Sequence, residues 1–302
     1  MNPELPPLRL EDWQDTLDTL HLFFQIVGKV RLRLSPPRNH WWHVALYPSA
    51  RGATTGPIPW KFGGFEMEFD FVDHQLVIRA DDGRTSSIPL SGESVATFYQ
   101  RVFAELRTLG IEVRILARPY GIPHLTEPFP TDTQHNTYDP EAVARFHRVL
   151  LAADGWLNSF SGRFTGKTSP VHLFWHSMDL AVTRFSGRRA PEMPGADRVT
   201  REAYSHEVVS FGFWAGDPTF PQAAFYSYTA PEPAGLASSR LMPKEAAWQP
   251  RNASSLAVLP YEAVRTQLDP GTVVLEFLES AYQSGARLAG WDVEALKARP
   301  IQ

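Results

Sequence analysis

Cysteine is absent from this chain of 302 residues. Its absence excludes disulfides, thiolate metal sites and a cysteine nucleophile, and it leaves histidine and carboxylate side chains as the strong metal ligands. Catalytic or metal chemistry must therefore be sought among the 10 histidines, the carboxylates and the basic residues.

An excess of positive charge is missing as well. The chain has 29 Lys and Arg residues against 33 Asp and Glu residues, which gives a formal net charge of -4. Such a chain has no basic surplus to neutralise phosphate groups, so we expect no nucleic-acid partner.

Long apolar runs do not occur. No stretch approaches the ~18 consecutive apolar residues that a membrane-spanning helix requires. The first residues, MNPELPPLRLEDWQDTL, also lack a basic leader followed by an apolar run. We expect a cytoplasmic protein without a membrane partner.

The local motifs of several enzyme classes are absent too, among them HExxH, GxSxG, GxGxxG and GxxxxGK followed by Ser or Thr. The fragment GRFTGKTSP resembles a phosphate loop only superficially, because it lacks the glycine spacing and leads into a predicted strand. Zinc-protease, hydrolase-elbow, dinucleotide-binding and phosphate-loop chemistry are therefore unsupported.

Clear periodicity is present in the first half. Trp13, Leu17, Leu20, Phe24 and Val27 recur at intervals of four and three, which predicts an amphipathic helix. The alternation of GKVRLRL then predicts a strand, whose basic side chains could lie across from the acidic row of FEMEFDF. Further strands are predicted at HWWHVALY, HQLVIRA and IEVRILA, and a helix at SVATFYQRVFAELRTLG.

The pattern repeats after a segment rich in Pro and Thr. Asp139 and Pro140 have the chemistry of a helix start, as do Asp269 and Pro270 further on. Strands are predicted over residues 169–187, at HEVVSFGFW and at AAFYSYTA. The sequence therefore predicts an α+β fold in which antiparallel sheets are covered by helices.

Two halves are predicted, residues 1–120 and 139–302, joined by residues 121–138 and packed as one unit. Both contain a helix, several strands and a helix. The fragment WWHVALYPSARG also resembles FWHSMDLAVTRFSGR. These likenesses suggest a duplication of a helix-strands-helix unit.

The strongest candidate for a site is SPVHLFWHSMDLAVTRFSGRRAP, which places chargeable groups on both faces of a predicted strand. On regular alternation, His172, His176 and Arg184 share one face, and Asp179 lies on the other. One wall of a ligand pocket would explain this crowding. The alternative is a set of buried groups that other parts of the core satisfy.

The strand HEVVSFGFW adds a second group of candidates. Glu207 begins an otherwise apolar face and needs a charged or hydrogen-bonding partner, for which the arginines of the first segment are suitable. On the opposite face, the missing side chain of Gly212 leaves room for a ligand beside Tyr204 and His206.

A metal site would require three converging ligands, most plausibly His172, His206 and one of His40, His43 or His135. His40 and His43 have opposite parity in a regular strand, which weakens a paired role. We therefore assign no metal ligand, and the sequence identifies no cofactor.

A family resemblance rests on six fragments, LHLFFQIVGKVRL, NHWWHV, TQHNTYDPEA, SPVHLFW, DLAVTRFSGRRAP and YSHEV. Together they resemble an uncharacterised bacterial family, the domain of unknown function 5996 family, over residues 8–291. The resemblance implies no activity. His176 departs from the small residue that the family pattern has after SPVHLFW, which puts its use as a ligand in doubt. Motif positions in both halves imply a pocket where the halves meet.

These observations favour a small-molecule enzyme that uses histidine acid/base groups and arginines on an anionic substrate. The predicted catalytic residues are His172, His206, Glu207 and Asp179. The predicted substrate-binding residues are Arg184, Arg188, Tyr204, His21 and His40. Two alternatives stay open, namely a non-catalytic module that binds a metabolite or a protein, and a histidine/carboxylate metalloenzyme.

Overall fold

The structure is a computed structural model and describes residues 5–251 and 254–298. Within these ranges the helices are α1 (Gln14–Leu34), α2 (Val95–Thr108), α3 (Pro140–Ser161), α4 (Arg198–Ala203), α5 (Tyr261–Arg265) and α6 (Pro270–Leu288). No helix among these residues combines the length and the apolar character needed to cross a membrane.

Strands fall into two groups along the chain. The first group is β1 (Tyr47–Ser49), β2 (Gly52–Thr54), β3 (Ile58–Trp60), β4 (Gly63–Asp70), β5 (Gln75–Ala80) and β6 (Thr85–Pro89). The second group is β7 (His172–Phe174), β8 (Asp179–Arg189), β9 (His206–Trp214), β10 (Ala224–Ala230), β11 (Ala247–Arg251) and β12 (Ser254–Pro260).

Antiparallel pairing turns each group into one sheet. Sheet 1 has the order β1-β2-β4-β5-β6, with β3 pairing β4 beside this path, and sheet 2 has the order β11-β12-β10-β9-β8-β7. The predicted α+β class with antiparallel sheets is confirmed. The strands predicted at FEMEFDF, HQLVIRA, HEVVSFGFW and AAFYSYTA correspond to β4, β5, β9 and β10.

Helices cover one face of each sheet, which we call the inner face. In sheet 1, the ring of Phe69 stacks on Phe24 of α1 with centroids 4.4 Å apart. In sheet 2, Arg184 of β8 donates a hydrogen bond of 2.6 Å to the carbonyl of Phe160 in α3. Buried apolar side chains from both halves form one connected core. Alternate strand residues lie on the opposite side, the outer face.

The two sheets meet edge to edge at Leu46 and Leu173, a place we call the junction. The backbones of these two residues exchange hydrogen bonds of 2.9 and 2.8 Å. Both leucines are fully buried. Because the bridge is antiparallel, Tyr47 of β1 lies beside His172 of β7 on the outer face.

Capping residues start the helices where the sequence predicts. The side chains of Asp139 and Asp269 accept hydrogen bonds from backbone N–H groups in the first turns of α3 and α6. Ser94 does the same for α2, and Gly110 follows that helix with a φ of 76°. Each such N-cap typically contributes about 1 kcal/mol.

The predicted strand GKVRLRL is wrong, because these residues continue α1 to Leu34. Val27, Val30 and Leu34 lie three and four positions apart, so the segment fits a helical period as well. A Cβ on Gly28 would lie 2.2 Å from the indole of Trp175, so only glycine lets α1 approach this tryptophan. The predicted basic row across from the acidic residues of β4 is accordingly not formed.

The predicted single strand over residues 169–187 is a hairpin instead. A tight turn joins β7 to β8, in which the backbone N–H of Met178 donates to Phe174 at 2.7 Å. The turn resets the alternation of side chains, so His172 lies on the outer face while Arg184 lies on the inner face. The predicted shared face of His172, His176 and Arg184 is wrong for this reason.

Two further predicted strands are wrong. In NHWWHVALY, Asn39–Trp41 forms a short 3-10 turn, and β1 begins only at Tyr47. His40 and Trp41 have φ values of 55° and 60°, in the left-handed region that breaks an extended run. The segment IEVRILA is irregular throughout.

Candidate functional site

Aromatic, histidine and basic side chains from distant segments meet at the junction. Trp42 is central to this group, with its ring centroid 5.5 Å from His40, 5.8 Å from His172 and 5.9 Å from Phe185. We call the group the junction cluster and define it as Arg31, His40, Trp42, Tyr47, Lys167, His172, Phe185 and His206.

His172 is the most enclosed histidine of the cluster, with 1% of its surface exposed. The rings of Tyr47 and Phe174 lie 5.6 and 5.4 Å from it. Neither ring nitrogen of His172 has a hydrogen-bond partner within the described part of the chain. Burial, and then the charge of Arg31, lower its pKa to about 4. An unpartnered buried polar group typically costs about 1–3 kcal/mol, so a ligand that bonded these nitrogens would recover that energy.

Two basic side chains of α1 are buried, and the charge of one of them, Arg31, acts on His172. Arg31 and Lys29 are each 6% exposed. The Arg31 guanidinium lies 5.5 Å from the centre of the Tyr47 ring, and Lys29 Nζ lies 5.6 Å from the Trp175 ring. Burial lowers the pKa of both. The ion pairs found among residues 5–251 and 254–298 include neither of them.

Lys167 and His40 form a hydrogen-bonded pair on the other side of Trp42. Lys167 Nζ lies 2.8 Å from His40 Nε2, and His40 Nδ1 lies 3.1 Å from the carbonyl oxygen of Ala203. A carbonyl oxygen can only accept, so Nδ1 carries the proton and Nε2 is free to accept from Lys167. Burial is the main cause that lowers the pKa of both side chains.

His206 lies at the half-buried edge of the same group. Its ring centroid is 5.5 Å from that of His40, and its Nδ1 lies 3.1 Å from the hydroxyl of Ser205. Burial, then Lys167 and Arg189, lower its pKa. His206 and His172 therefore belong to one cluster without a hydrogen bond between them, since neither nitrogen of His172 is bonded among the described residues.

Asp179 is hydrogen-bonded to a tyrosine on the outer face of sheet 2. Its carboxylate accepts hydrogen bonds from the hydroxyls of Tyr226 and Ser177. A Cβ on Gly212 would lie 2.4 Å from the phenol of Tyr226, so that ring fills the room that the sequence assigns to a ligand. The hydroxyl of Tyr204 lies 2.8 Å from that of Tyr228.

Glu207 and two of the predicted arginines lie outside the junction cluster. Glu207 accepts hydrogen bonds from Arg188 at 2.7 and 2.9 Å and from the indole of Trp291 at 3.1 Å. Its predicted arginine partner is thus Arg188, which also donates to the carbonyl of Ala289. Arg184 is buried at 1% exposure, beside the aromatic rings of the inner face. The structure does not bring Arg184 and Arg188 to the histidines.

The remaining predicted histidines are scattered. His21 lies in α1 near His176, and burial lowers its pKa to about 3. His43 is buried and accepts a hydrogen bond of 3.2 Å from the backbone of Arg38. His135 bonds Asp132 at 2.7 Å. Among the described residues, no group of three or more His, Asp or Glu side chains is arranged to hold a metal ion.

Two surface cavities lie away from the junction cluster. One of about 250 Å³ lies beside β11 and is lined partly by Phe220 and Gln249. Another of about 200 Å³ is lined partly by Glu207 and Trp291. The junction instead offers the buried guanidinium of Arg31 and the unpartnered ring nitrogens of His172.

Sequence reasoning missed Arg31, Trp42 and Lys167. Arg31 was hidden by the wrong strand prediction, which placed it on a solvated face. Lys167 belongs to GRFTGKTSP, in which the sequence indicated only an incomplete phosphate-loop motif. A signal for Trp42 was present in NHWWHV, since paired tryptophans between histidines are costly to leave exposed.

Comparison with known families gives a match over nearly the whole chain. No curated protein and no solved structure matches this chain. The family model described as "Family of unknown function (DUF5996)" matches residues 5–298. That match spans nearly the whole chain and agrees with the resemblance of the six sequence fragments, so the protein belongs to the DUF5996 family.

Proposed function

We propose that the protein is a small-molecule enzyme that binds an anionic substrate at the junction cluster. The observation that carries this proposal is the pair of Arg31 and His172, which are 6% and 1% exposed; Nε of Arg31 and both ring nitrogens of His172 have no hydrogen-bond partner within the described residues. An anion with hydrogen-bonding oxygens would satisfy both groups at once.

Electrostatics supports an anionic ligand. Burying a cation without a compensating charge costs several kcal/mol, so an isolated guanidinium or ammonium is unfavourable. Arg31 lies near the ring of Tyr47 and Lys29 near that of Trp175, and the ion pairs of the described residues include neither of these buried side chains. A bound anion would offset this cost, so the site favours a negatively charged ligand.

The histidines have different roles in this proposal. His172 is neutral at pH 7, because its pKa lies at about 4, and it bonds the ligand as a neutral imidazole. His206 is half-buried, so it remains accessible for proton transfer. Arg31 replaces Arg184 and Arg188 as the anion-binding arginine, since both of those bond other parts of the protein.

A second candidate is a non-catalytic module that binds the same anion. The observation that favours it is the engagement of both predicted orienting carboxylates elsewhere, Asp179 with Tyr226 and Glu207 with Arg188. Without a carboxylate to orient it, a histidine base is less well positioned for proton transfer.

Ligand-induced stabilisation tests the anion site. Inorganic phosphate and glycolate should raise the unfolding temperature, with sodium chloride at equal ionic strength as the control for screening. At 100 times the Kd a ligand adds about 2.7 kcal/mol to stability. The variant Arg31→Met should lose this stabilisation, whereas the matched variant Arg79→Met, whose arginine pairs with Glu68, should keep it.

An equal response of wild type and Arg31→Met to phosphate and glycolate would overturn the proposed site. Turnover separates the two candidates. In the enzyme, His206→Gln should lose turnover of an anionic substrate while anion binding is retained. Retained binding in a protein that turns over no substrate of an anionic library would favour the binding module.

A further inference from the structure

We infer that Lys167 is a nucleophile that forms a reversible imine with a small carbonyl compound bearing a carboxylate, and that His40 accepts its proton. This inference rests on the proposed function, because the cations of the junction cluster supply the contact to the carboxylate. It adds a substrate class and a covalent step.

The geometry of the pair carries the inference. Lys167 Nζ lies 2.8 Å from His40 Nε2, and the bond from His40 Nδ1 to the Ala203 carbonyl fixes which nitrogen accepts. A lysine paired with a carboxylate would be held as a structural ammonium. Lys167 has an imidazole in that place, and an imidazole can take the proton and return it.

The surroundings of the amine fit a reactive role. Nζ lies 5.3 Å from the ring of Trp42 and 4.8 Å from that of Phe185, while the lysine as a whole is exposed. Aromatic faces favour the charged ammonium, whereas desolvation disfavours it, and desolvation is the cause that lowers the pKa of this lysine. The amine is thus reachable from solvent and close to rings that would exclude water from an adduct.

The backbone at His40 is also unusual. His40 and Trp41 are consecutive non-glycine residues in the left-handed region, with φ of 55° and 60°. Such conformations are strained for residues with a side chain and persist where the surrounding structure requires them. Here they direct His40 towards Lys167 and Trp42 towards the cluster.

The chemical step balances as follows. The Lys167 ammonium gives a proton to His40 Nε2, and the free amine attacks the carbonyl carbon, forming the C–N bond as the C=O π bond breaks. The alkoxide takes up the proton released by nitrogen to give a carbinolamine. The nitrogen lone pair then forms C=N as the C–O bond breaks, and the leaving oxygen takes the proton from His40 and departs as water.

Reductive trapping tests this step on the full-length protein. Glyoxylate is the probe, sodium cyanoborohydride reduces any imine, and peptide mass spectrometry measures the labelling rate of each lysine. Lys61 is the matched internal control, since its Nζ lies 5.7 Å from the Trp60 ring and the described residues give it no ion pair or histidine partner. We expect Lys167 to be labelled several-fold faster than Lys61 at neutral pH.

The variant His40→Asn tests whether His40 accepts the proton of Lys167. Asparagine tolerates the left-handed backbone but has no basic nitrogen. It should slow labelling at Lys167 several-fold without changing Lys61, and it should shift the pH profile of the Lys167 rate upward. Equal rates at Lys167 and Lys61 in the wild type would overturn the inference, and that comparison needs no variant.

Glycolate separates this inference from the proposed function, because it carries the carboxylate but no carbonyl. Glycolate stabilisation together with slow Lys167 labelling would overturn the imine and leave the anion site standing. Fast Lys167 labelling without any stabilisation by glycolate or phosphate would support the nucleophile and overturn the proposed anion site.

Discussion

The outer face of sheet 1 and the junction differ in how their charged side chains are paired. On sheet 1, Asp70 accepts a hydrogen bond of 2.7 Å from Arg51, and Glu68 accepts one of 2.7 Å from Arg79. At the junction, Arg31 and Lys167 lie against aromatic rings and join none of the ion pairs of the described residues. The carboxylates on sheet 1 are thus paired with arginines of the same sheet region, whereas the cations at the junction remain available to a ligand.

The same contrast holds for the buried polar groups. Asp70 is 2% exposed, yet the backbone N–H groups of Val72 and Asp73 also donate to it, at 2.9 and 3.0 Å. His172 is equally enclosed and has no bonded nitrogen among the described residues. Full satisfaction is typical of a structural group, and its absence at His172 is typical of a site that a ligand completes.

The largest expected effect is the pH dependence of His172. Its pKa falls from 6.5 to about 4 on folding, so the unfolded chain binds the proton more tightly. The stability contributed by the neutral imidazole is full above pH 6.5 and is lost as the pH falls towards 4, by roughly 3 kcal/mol. Urea unfolding of wild type and His172→Leu between pH 7 and 4 measures it, since other histidines contribute equally to both proteins. If the free energy of unfolding changed equally with pH in both proteins, a hydrogen-bond partner would satisfy His172.

A smaller effect is expected on sheet 1 from Asp70→Ala. This change removes the acceptor of Arg51 and of two backbone N–H groups, so the free energy of unfolding should fall by about 2 kcal/mol. Asp73→Ala is the matched control, because its carboxylate binds the same arginine but is 62% exposed. That control should cost under about 1 kcal/mol. Equal losses would contradict the division between buried and surface pairs.

The smallest effect is expected from Arg31→Met without ligand. Removing an unpaired buried cation should leave the free energy of unfolding unchanged or raise it by about 1 kcal/mol. Arg79→Met should have the opposite sign, because it leaves Glu68 without its arginine. Denaturant unfolding in anion-free buffer measures both variants. A clear destabilisation by Arg31→Met would mean that the protein itself already pairs this arginine.

Helix caps and hydrophobic periodicity predicted the helices and strands well where a segment fits only one period. The caps at Asp139 and Asp269 and the alternation of β4 and β9 fit a single structure. The strand prediction for GKVRLRL was wrong because the segment fits both a period of two and a helical period. The contact between Gly28 and Trp175 favours the helix. The predicted division at residues 121–138 and the duplication stay predictions.

The predicted site residues stay a prediction. His40 and His172 each lie beside Trp42, and His206 lies beside His40. Arg184 could not be placed correctly, because its face depends on a turn between β7 and β8 whose position the alternation does not reveal. Lys167 was missed because nothing in its neighbourhood shows that a histidine 127 positions away bonds it.

The sequence by itself determined the α+β class, most helices and strands, and the absence of thiol chemistry, since composition, capping and periodicity are properties of short segments. Only the tertiary structure decided that β1 meets β7, and that Arg31 is buried at their meeting point. The pairing of sheet edges joins residues far apart in the chain, and it leaves no periodic signal in either segment. The chemistry of the junction cluster therefore arises from packing between segments.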